Sequence, residues 1–427
     1  MSKASKILHI LACFLILGLI TIIFPQQGLA GGEKKYLTIK ARIVLAKASR
    51  LMNSKDYDQA ITMLIKFQAT DAASTTTDIP DCKDHQRAEI YYALGTCYLM
   101  QNNYRSAART LDLSAQHDPQ HLSAWLNLAK SYYELNEYPR AAKCFAKVYD
   151  LSPEKKPEYI YYSAVAFLLA QQYEPSIAAF EQLFTDHPKK IQPTWQENLV
   201  HALLSSGHAR RALPHIQQLA EQYRGEKQIQ WQEILLQQYM EHGMRKQALA
   251  YALALTEQAP TQAKWWKALA SIYLQSGKYQ PALSAMVINS YLEPLSDQEA
   301  KLVADLYLQL GIPDKAAGLY KALLSEKHTP RLVERLILAL RQLGQPEQAL
   351  AILEKFAPAS KIPELLMQKA DVLYELGKYQ AAAVLYRQTA EKGSRQKDRA
   401  LQMEKYAMLQ ASYADDNRHQ PEQAMAF

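Results

Sequence analysis

The sequence predicts an all-α chain built as a row of about ten helix-turn-helix units, a solenoid rather than a set of globular domains. Three observations carry that expectation. The stretch from Leu122 to Lys155 reads as two short helices joined by a turn at Asn136-Glu137 and closed by Ser152-Pro153. The same pattern recurs along the chain, after a longer first interval, at a spacing of 33 to 36 residues. Six of the 14 glycines (Gly207, Gly243, Gly277, Gly311, Gly344 and Gly377) fall at one place in successive units, where a left-handed residue would end the first helix.

Within the stretch Leu122–Lys155, Trp125, Leu128, Tyr132, Tyr138, Phe145 and Val148 recur at intervals of three and four, which places them on one face of each helix. Ala129 and Ala141 are small where the two helices must approach closely. Pro153 cannot continue a helix and separates one hairpin from the next. A lone hairpin cannot bury two such faces, so each unit needs a neighbour of its own kind.

These residues resemble the tetratricopeptide repeat. Its 34-residue pattern has Trp, Leu, Gly or Ala, Tyr, Tyr, Ala, Phe, Ala and Pro near positions 4, 7, 8, 11, 17, 20, 24, 27 and 32, and Trp125, Leu128, Ala129, Tyr132, Tyr138, Ala141, Phe145, Val148 and Pro153 fill those places. Sliding the frame starts repeats near Ala41, Ala88, Leu122, Pro157, Pro193, Ile229, Ala263, Asp297, Pro330 and Pro363. The second repeat matches with Leu94, Gly95, Tyr98, Tyr104, Ala107, Leu111 and Pro119; the seventh matches with Trp266, Leu269, Ala270, Tyr273, Gly277, Tyr279, Ala282 and Pro294. Trp195 and Trp231 stand one residue early, with Gln196 and Gln232 at the usual aromatic place, and Pro313 and Pro346 replace the tyrosine that opens the second helix. The resemblance implies a right-handed superhelix whose concave groove is lined by the first helix of each repeat.

In chain order, Lys3 and Lys6 precede an apolar run from Ile7 to Phe24, followed by Pro25 and the small residues Gly28, Ala30, Gly31 and Gly32. That is the layout of an export signal cut after Ala30, and the run of about 18 residues is also long enough to be an uncleaved inner-membrane anchor. In either case the repeats face the periplasm. The lipobox-like Ile10-Leu11-Ala12-Cys13 is followed by apolar residues, which argues against lipidation. Residues 31–69 hold a first, degenerate repeat, with Tyr57, Ala60 and Leu64 in place but Lys47 where an apolar residue is usual. Residues 70–85 are polar and are expected to form an exposed loop. The array runs over residues 86–396, a capping helix is expected over 397–413 through Leu401, Tyr406, Met408 and Leu409, and a disordered tail over 414–427.

Composition narrows the function. At 48% apolar and 21% charged the chain is ordinary folded protein, and its net charge of +7, without a Lys/Arg run, makes nucleic acid a poor partner. Cys82, Cys97 and Cys144 follow the leader; Cys97 and Cys144 fall inside helices as small core residues, and Cys82 falls in the loop. Phosphate-loop, zinc-hydrolase and nucleophile-elbow motifs are absent from the sequence, and the 11 histidines are scattered. The expectation is a non-enzymatic protein without a cofactor or metal.

What a row of helical hairpins offers is a long surface for a protein or peptide segment. The resemblance assigns groove positions 2, 5, 9, 12 and 13 of each repeat. In repeats two to four these include Tyr92, Thr96, Leu99, Met100, Leu126, Lys130, Tyr133, Tyr161, Val165, Leu168 and Leu169, an apolar, tyrosine-rich set, followed by His201 in the fifth. The later positions turn polar: Glu197, Asn198, Glu233, Gln237 and Glu241, then Lys264, Lys267, Lys301, Asp305, Arg331, Arg335 and Arg341. The Lys/Asn set with which some cytoplasmic members grip a C-terminal carboxylate is not repeated across neighbouring units. Exported relatives in this family accompany TonB-type transducing complexes or envelope polysaccharide and secretion machinery, which implies an envelope adaptor or, as the alternative, a scaffold acting through its outer edges.

Overall fold

The computed structural model describes residues 37–72, 80–326, 329–356, 362–392 and 396–424, and the expected leader at 1–30 lies outside them. Among the described residues every regular element is an α-helix. The chain divides into two compact units, Met1–Gln238 and Tyr239–Phe427.

In the first unit, repeat 1 is α1 (Ile39–Asn53) with α2 (Tyr57–Ala72), repeat 2 is α3 (Pro80–Met100) with α4 (Tyr104–His117), and repeat 3 is α5 (Leu122–Glu134) with α6 (Tyr138–Leu151). Repeat 4 is α7 (Pro157–Leu169) with α8 (Tyr173–Asp186), and repeat 5 is α9 (Pro193–Ser205) with α10 (Ala209–Gln222). The boundary between the units falls within α11 (Gly225–Glu241).

The second unit continues with α12 (Arg245–Gln258), then α13 (Ala263–Gln275) and α14 (Tyr279–Leu292) as repeat 7, and α15 (Asp297–Gln309) and α16 (Pro313–Glu326) as repeat 8. Repeat 9 is α17 (Pro330–Gln342) with α18 (Pro346–Phe356), and repeat 10 is α19 (Pro363–Glu375) with α20 (Tyr379–Glu391). α21 (Lys397–Ala424) closes the chain. No helix among the described residues is long and apolar enough to cross a membrane.

Local chemistry sets the boundaries. Pro157, Pro193, Pro330 and Pro363 each open a helix, where the missing N–H and the fixed φ cost nothing. Pro313 and Pro346 do the same for α16 and α18, so their departure from the repeat pattern leaves the hairpin intact. Each first helix ends on a left-handed residue. At Gly277 φ is +69°, and the N–H of Lys278 donates back to the Tyr273 carbonyl at 2.9 Å, closing the turn. Repeats 1 to 4 make the same turn without glycine, with Lys55, Asn102, Asn136 and Gln171 at φ of +57° to +63°.

Within each unit the core lies between the two helices of a hairpin and the first helix of the next. Gly95 shows how close the helices come: a Cβ there would sit 2.6 Å from Leu111 Cγ. Buried Ala129 and Ala141 hold the same contact in repeat 3, beside Leu128, Phe145 and Ala166. In the second unit Leu336, Ile337 and Leu340 pack on Tyr320 and Leu324. Trp125 and Trp266 stand at the pattern's tryptophan position, and each donates its indole N–H to the carbonyl of a proline six residues earlier, Pro119 at 3.0 Å and Pro260 at 2.8 Å. Trp195 and Trp231, one residue early, turn into the core instead and are buried.

Three expectations are corrected. α2 runs to Ala72 and α3 starts at Pro80, so helix reaches into both ends of the segment 70–85 expected as loop, and residues 73–79 lie outside the described ones. The last helix passes the expected boundary at 413 and ends at Ala424. Its packing is also rotated from the expected one. Ala400 and Ala407 are buried against Ala382, Ala383 and Tyr386, whereas Leu401, Tyr406, Met408 and Leu409 are exposed. The reason is register: α21 follows α20 where the first helix of a further repeat would stand, and a first helix makes a close approach that demands small residues.

Candidate partner-binding face

Successive first helices of the first unit, α3, α5, α7 and α9, carry the twelve residues expected to line the groove. They fall into two groups. Tyr92, Met100, Leu126, Lys130, Tyr133, Tyr161, Leu169 and His201 are half-buried and so keep an accessible side. Thr96, Leu99, Val165 and Leu168 are buried, and their side chains serve helix packing rather than an open surface. The cause is that neighbouring first helices interlock. Thr96 Oγ1 donates to the Tyr92 carbonyl at 2.8 Å and accepts from Asn127 Nδ2 of the next repeat at 3.1 Å. The Tyr161 hydroxyl accepts from Asn198 Nδ2 at 3.1 Å, and its ring stacks on Trp195 at 5.1 Å.

The tyrosines are held rather than loose. The Tyr92 ring lies 4.6 Å from that of His121, and Tyr133 meets Tyr138 edge-on at 5.5 Å. Burial pushes the Tyr133 hydroxyl up to about 12, with the nearby Tyr138 and Glu134 adding to the rise. Burial does the same at Tyr161, also to about 12, against the opposing bond from Asn198. Both hydroxyls are therefore neutral at physiological pH and available as hydrogen-bond donors. Lys130 is the one lysine or arginine on α5, α7 and α9. The face is thus aromatic, with fixed rings set among Glu89, Lys130, Glu134 and Glu158 at the same groove positions.

Glu197, expected in the groove, is instead buried and ion-paired with Lys227 Nζ at 2.6 Å. Lys227 also lies over the Tyr223 ring at 4.1 Å and donates to its hydroxyl at 2.9 Å. Spacing within one repeat cannot show this pair, because its members belong to neighbouring repeats. Asn127 and Asn198 do leave a trace in sequence, since both stand sixth in their repeats.

With the hairpins and their inner face in place, comparison with known proteins is direct. The tetratricopeptide-repeat profile matches residues 92–156, 126–189 and 334–399. Over these stretches the chain is built of tetratricopeptide repeats. No curated protein matches the sequence. Among solved structures, a tetratricopeptide repeat protein from Parabacteroides merdae is 14% identical over 70% of this chain and 98% of its own, with a TM-score of 0.32. Naa15/Naa10 bound to HypK-THB is 13% identical over 87% and 68%, TM-score 0.41. YrrB, described as having an unusual peptide-binding site, is 18% identical over 48% and 98%, TM-score 0.31. Similarity at this level bears on neither partner nor site.

The repeats of the second unit differ in kind. Lys267 pairs with Glu293 and with Glu299 at 3.0 Å, and Lys301 pairs with Asp305 at 2.5 Å. Asp305 also accepts from the Tyr320 hydroxyl, and buried Asp371 accepts from Tyr386 at 2.8 Å and from Arg399 at 3.0 Å. Arg341 binds Glu375 at 2.5 Å. The two Asp–Tyr pairs occupy the same positions of their repeats, the eighth and the tenth. Most of the cations expected to line this part of the groove are engaged with carboxylates of the same unit. Among the described residues no group of three or more His, Cys, Asp or Glu is arranged to hold a metal.

Proposed function

We propose that this protein is a non-enzymatic adaptor of the bacterial cell envelope that binds an apolar, aromatic-anchored segment of a protein partner along α3, α5, α7 and α9. Tetratricopeptide repeats bind proteins or peptides and generally serve as non-catalytic scaffolds. The observation that carries the finer reading is the row of fixed, half-buried tyrosines on successive first helices. It offers preordered aromatic surface and polar donors at low entropic cost. Because Leu168 is buried, the informative variant is Tyr133→Ala with Leu126→Asp, both at half-buried positions on α5. Both side chains also pack on the core of repeat 3, so the melting temperature should fall; pull-down from membrane and periplasmic extracts, at a temperature where the variant is still helical by circular dichroism, should lose its partners. Retention of every partner would overturn the groove reading.

The periplasm is the proposed compartment, on the strength of Lys3, Lys6, the apolar run Ile7–Phe24 and the small residues ending at Ala30. Cleavage fits the charge distribution better than retention as an anchor. An uncleaved span would carry Lys34, Lys35, Lys40 and Arg42 to the translocated side close to its end, against the bias that keeps such residues inside. A periplasmic form beginning at Gly31 is expected on amino-terminal sequencing. Partnership with a TonB-type transducing complex is the assignment that the resemblance favours, and a partner set without any transducer component removes it. The scaffold alternative has one observation in its favour. α14 carries no charged residue and leaves Ile288, Tyr291 and Leu292 exposed, Tyr291 at 85%. If contacts run through this outer helix, Tyr291→Asp and not the α5 variant will release the partner.

A further inference from the structure

The positive charge of this chain is not spread over it. Of its 49 lysines and arginines, eight lie within residues 1–53, against the single acid Glu33, and the rest of the chain balances at 41 basic to 41 acidic residues. The whole net charge of +7 therefore belongs to the amino-terminal segment.

Half of those cations are on α1. The helix IKARIVLAKASRLMN bears Lys40, Arg42, Lys47 and Arg50 and no acidic residue. All four are exposed, and none is ion-paired with a carboxylate among the described residues, in contrast to Lys267, Lys301 and Arg341 of the second unit. One side of α1 is core: Ala41 and Ala48 are buried, with Val44, Leu45, Leu51 and Met52 packed beside them. The opposite side is uncovered and apolar, with Ile39 exposed to 75% and Ile43 to 51%, one helical turn apart.

An uncovered pair of isoleucines rimmed by unpaired cations is the pattern of a helix that lies in the surface of an anionic bilayer. Isoleucine inserts at the boundary between headgroups and acyl chains, and the lysines and arginines meet phosphate and other anionic groups at headgroup depth. We propose that α1 docks the first repeat flat onto a membrane surface rich in anionic phospholipid, so that the array starts at the bilayer. This proposal does not depend on the groove reading, since α1 and the α3–α9 face share no residue.

The test uses the chain from Gly31, which retains every described helix and all of the described core. Its co-sedimentation is measured with phosphatidylcholine vesicles containing or lacking phosphatidylglycerol, at low and at physiological salt. Binding to the anionic vesicles alone, weakened by salt, is expected. A basic residue at such a surface contributes about a factor of five, so Lys40→Gln with Lys47→Gln should weaken partitioning about 30-fold. Ile43→Ser should weaken it too, without lowering the melting temperature. Lys246→Gln with Lys315→Gln, exposed cations of the second unit, should leave it unchanged.

Equal binding to both vesicle types, or binding that survives the Lys40/Lys47 change, would overturn the proposal. A fall of several degrees in melting temperature with Ile43→Ser would also do so, by showing that the chain itself covers this face. Concentration-dependent self-association abolished by Ile43→Ser, with no vesicle binding, would reassign the face to a second copy. Loss of a pulled-down partner in the α5 variant with vesicle binding intact separates failure of one reading from failure of the other.

Discussion

Asn289 is the residue at which the chain departs furthest from its own packing rule. It stands at position 27 of repeat 7, on α14, at 0% exposure, and neither its amide nitrogen nor its carbonyl oxygen has a hydrogen-bonding partner among the described residues. The corresponding residues of other repeats are Ser114, Val148, Leu183, Leu219, Leu255, Leu323 and Thr389, all buried. Where a polar side chain occurs there it is satisfied: Ser114 donates to the Ala88 carbonyl at 2.8 Å and Thr389 to that of Leu385 at 2.8 Å. A buried polar group left unpaired costs roughly 1–3 kcal/mol, and Asn289 has two such atoms.

Asn289→Ala removes both atoms and restores the alanine of the repeat pattern. Against that relief stands a small void with lost dispersion contacts, worth about 1–2 kcal/mol for the few atoms deleted. The net expectation is a stabilisation of about 1–3 kcal/mol, which for a unit of this size raises the melting temperature by roughly 3–8 °C. Repeat arrays open locally rather than all at once, so the decisive assay is amide hydrogen exchange across α14 and α15, read beside calorimetry. Slower exchange there with unchanged exchange in the first unit is expected. Equal or faster exchange in the variant would refute the reasoning and show that the asparagine makes a stabilising contact.

Three further changes test the packing rules separately. Gly95→Ala places a Cβ 2.6 Å from Leu111 Cγ and 3.3 Å from its backbone nitrogen, so an overpacking loss of about 1–3 kcal/mol is expected in denaturant melts of the first unit. Gln171→Gly relieves a left-handed φ of +57° that glycine adopts freely, and a gain of about 0.5–1 kcal/mol should appear in the same melts. Burial of Asp305 opposes its ionisation, but the bonds from Lys301 and Tyr320 outweigh it and hold the carboxyl below the usual aspartate range. Since the folded value is the depressed one, this stabilisation is complete above the unfolded pKa of about 3.9 and disappears as pH falls below it. The acid limb of stability between about pH 4 and pH 2 should therefore be shallower in Asp305→Asn.

The repeat architecture was legible because its rules are local. A turn residue every 33 to 36 positions from Asn102 onward, proline at helix starts and the Trp–Leu–Ala–Tyr spacing each act within one hairpin, and ten copies make the pattern hard to miss. The inner face was legible only as a set of positions. Whether Thr96 or Tyr161 reaches a partner depends on how far the next first helix closes over it, which Asn127 and Trp195 decide from another repeat. α21 shows the same limit from the other side. Its leucines and tyrosines look like core by hydropathy, yet the tight approach of a first helix selects Ala400 and Ala407 for burial and turns the large residues outward.

Charge, finally, separates the two ends of the molecule by a criterion that net charge alone conceals. An excess of +7 over 427 residues looks like a mixed, solvated surface. Its location is what matters. In the second unit, cations on the first helices have carboxylates within reach, as Arg341 has Glu375 and Lys301 has Asp305, so their fields cancel over a few ångströms. On α1 four cations have no such partner among the described residues, and their field extends to whatever lies beside the first repeat. Selection for solubility alone does not require that concentration, because exposed lysines anywhere on the array would serve equally. A charged surface confined to the first repeat orients the unit that carries it. With α1 facing an anionic plane, repeats 2 to 5 follow as the next part of the chain, and a partner seated on α3 to α9 would be held close to the membrane rather than free in the surrounding space.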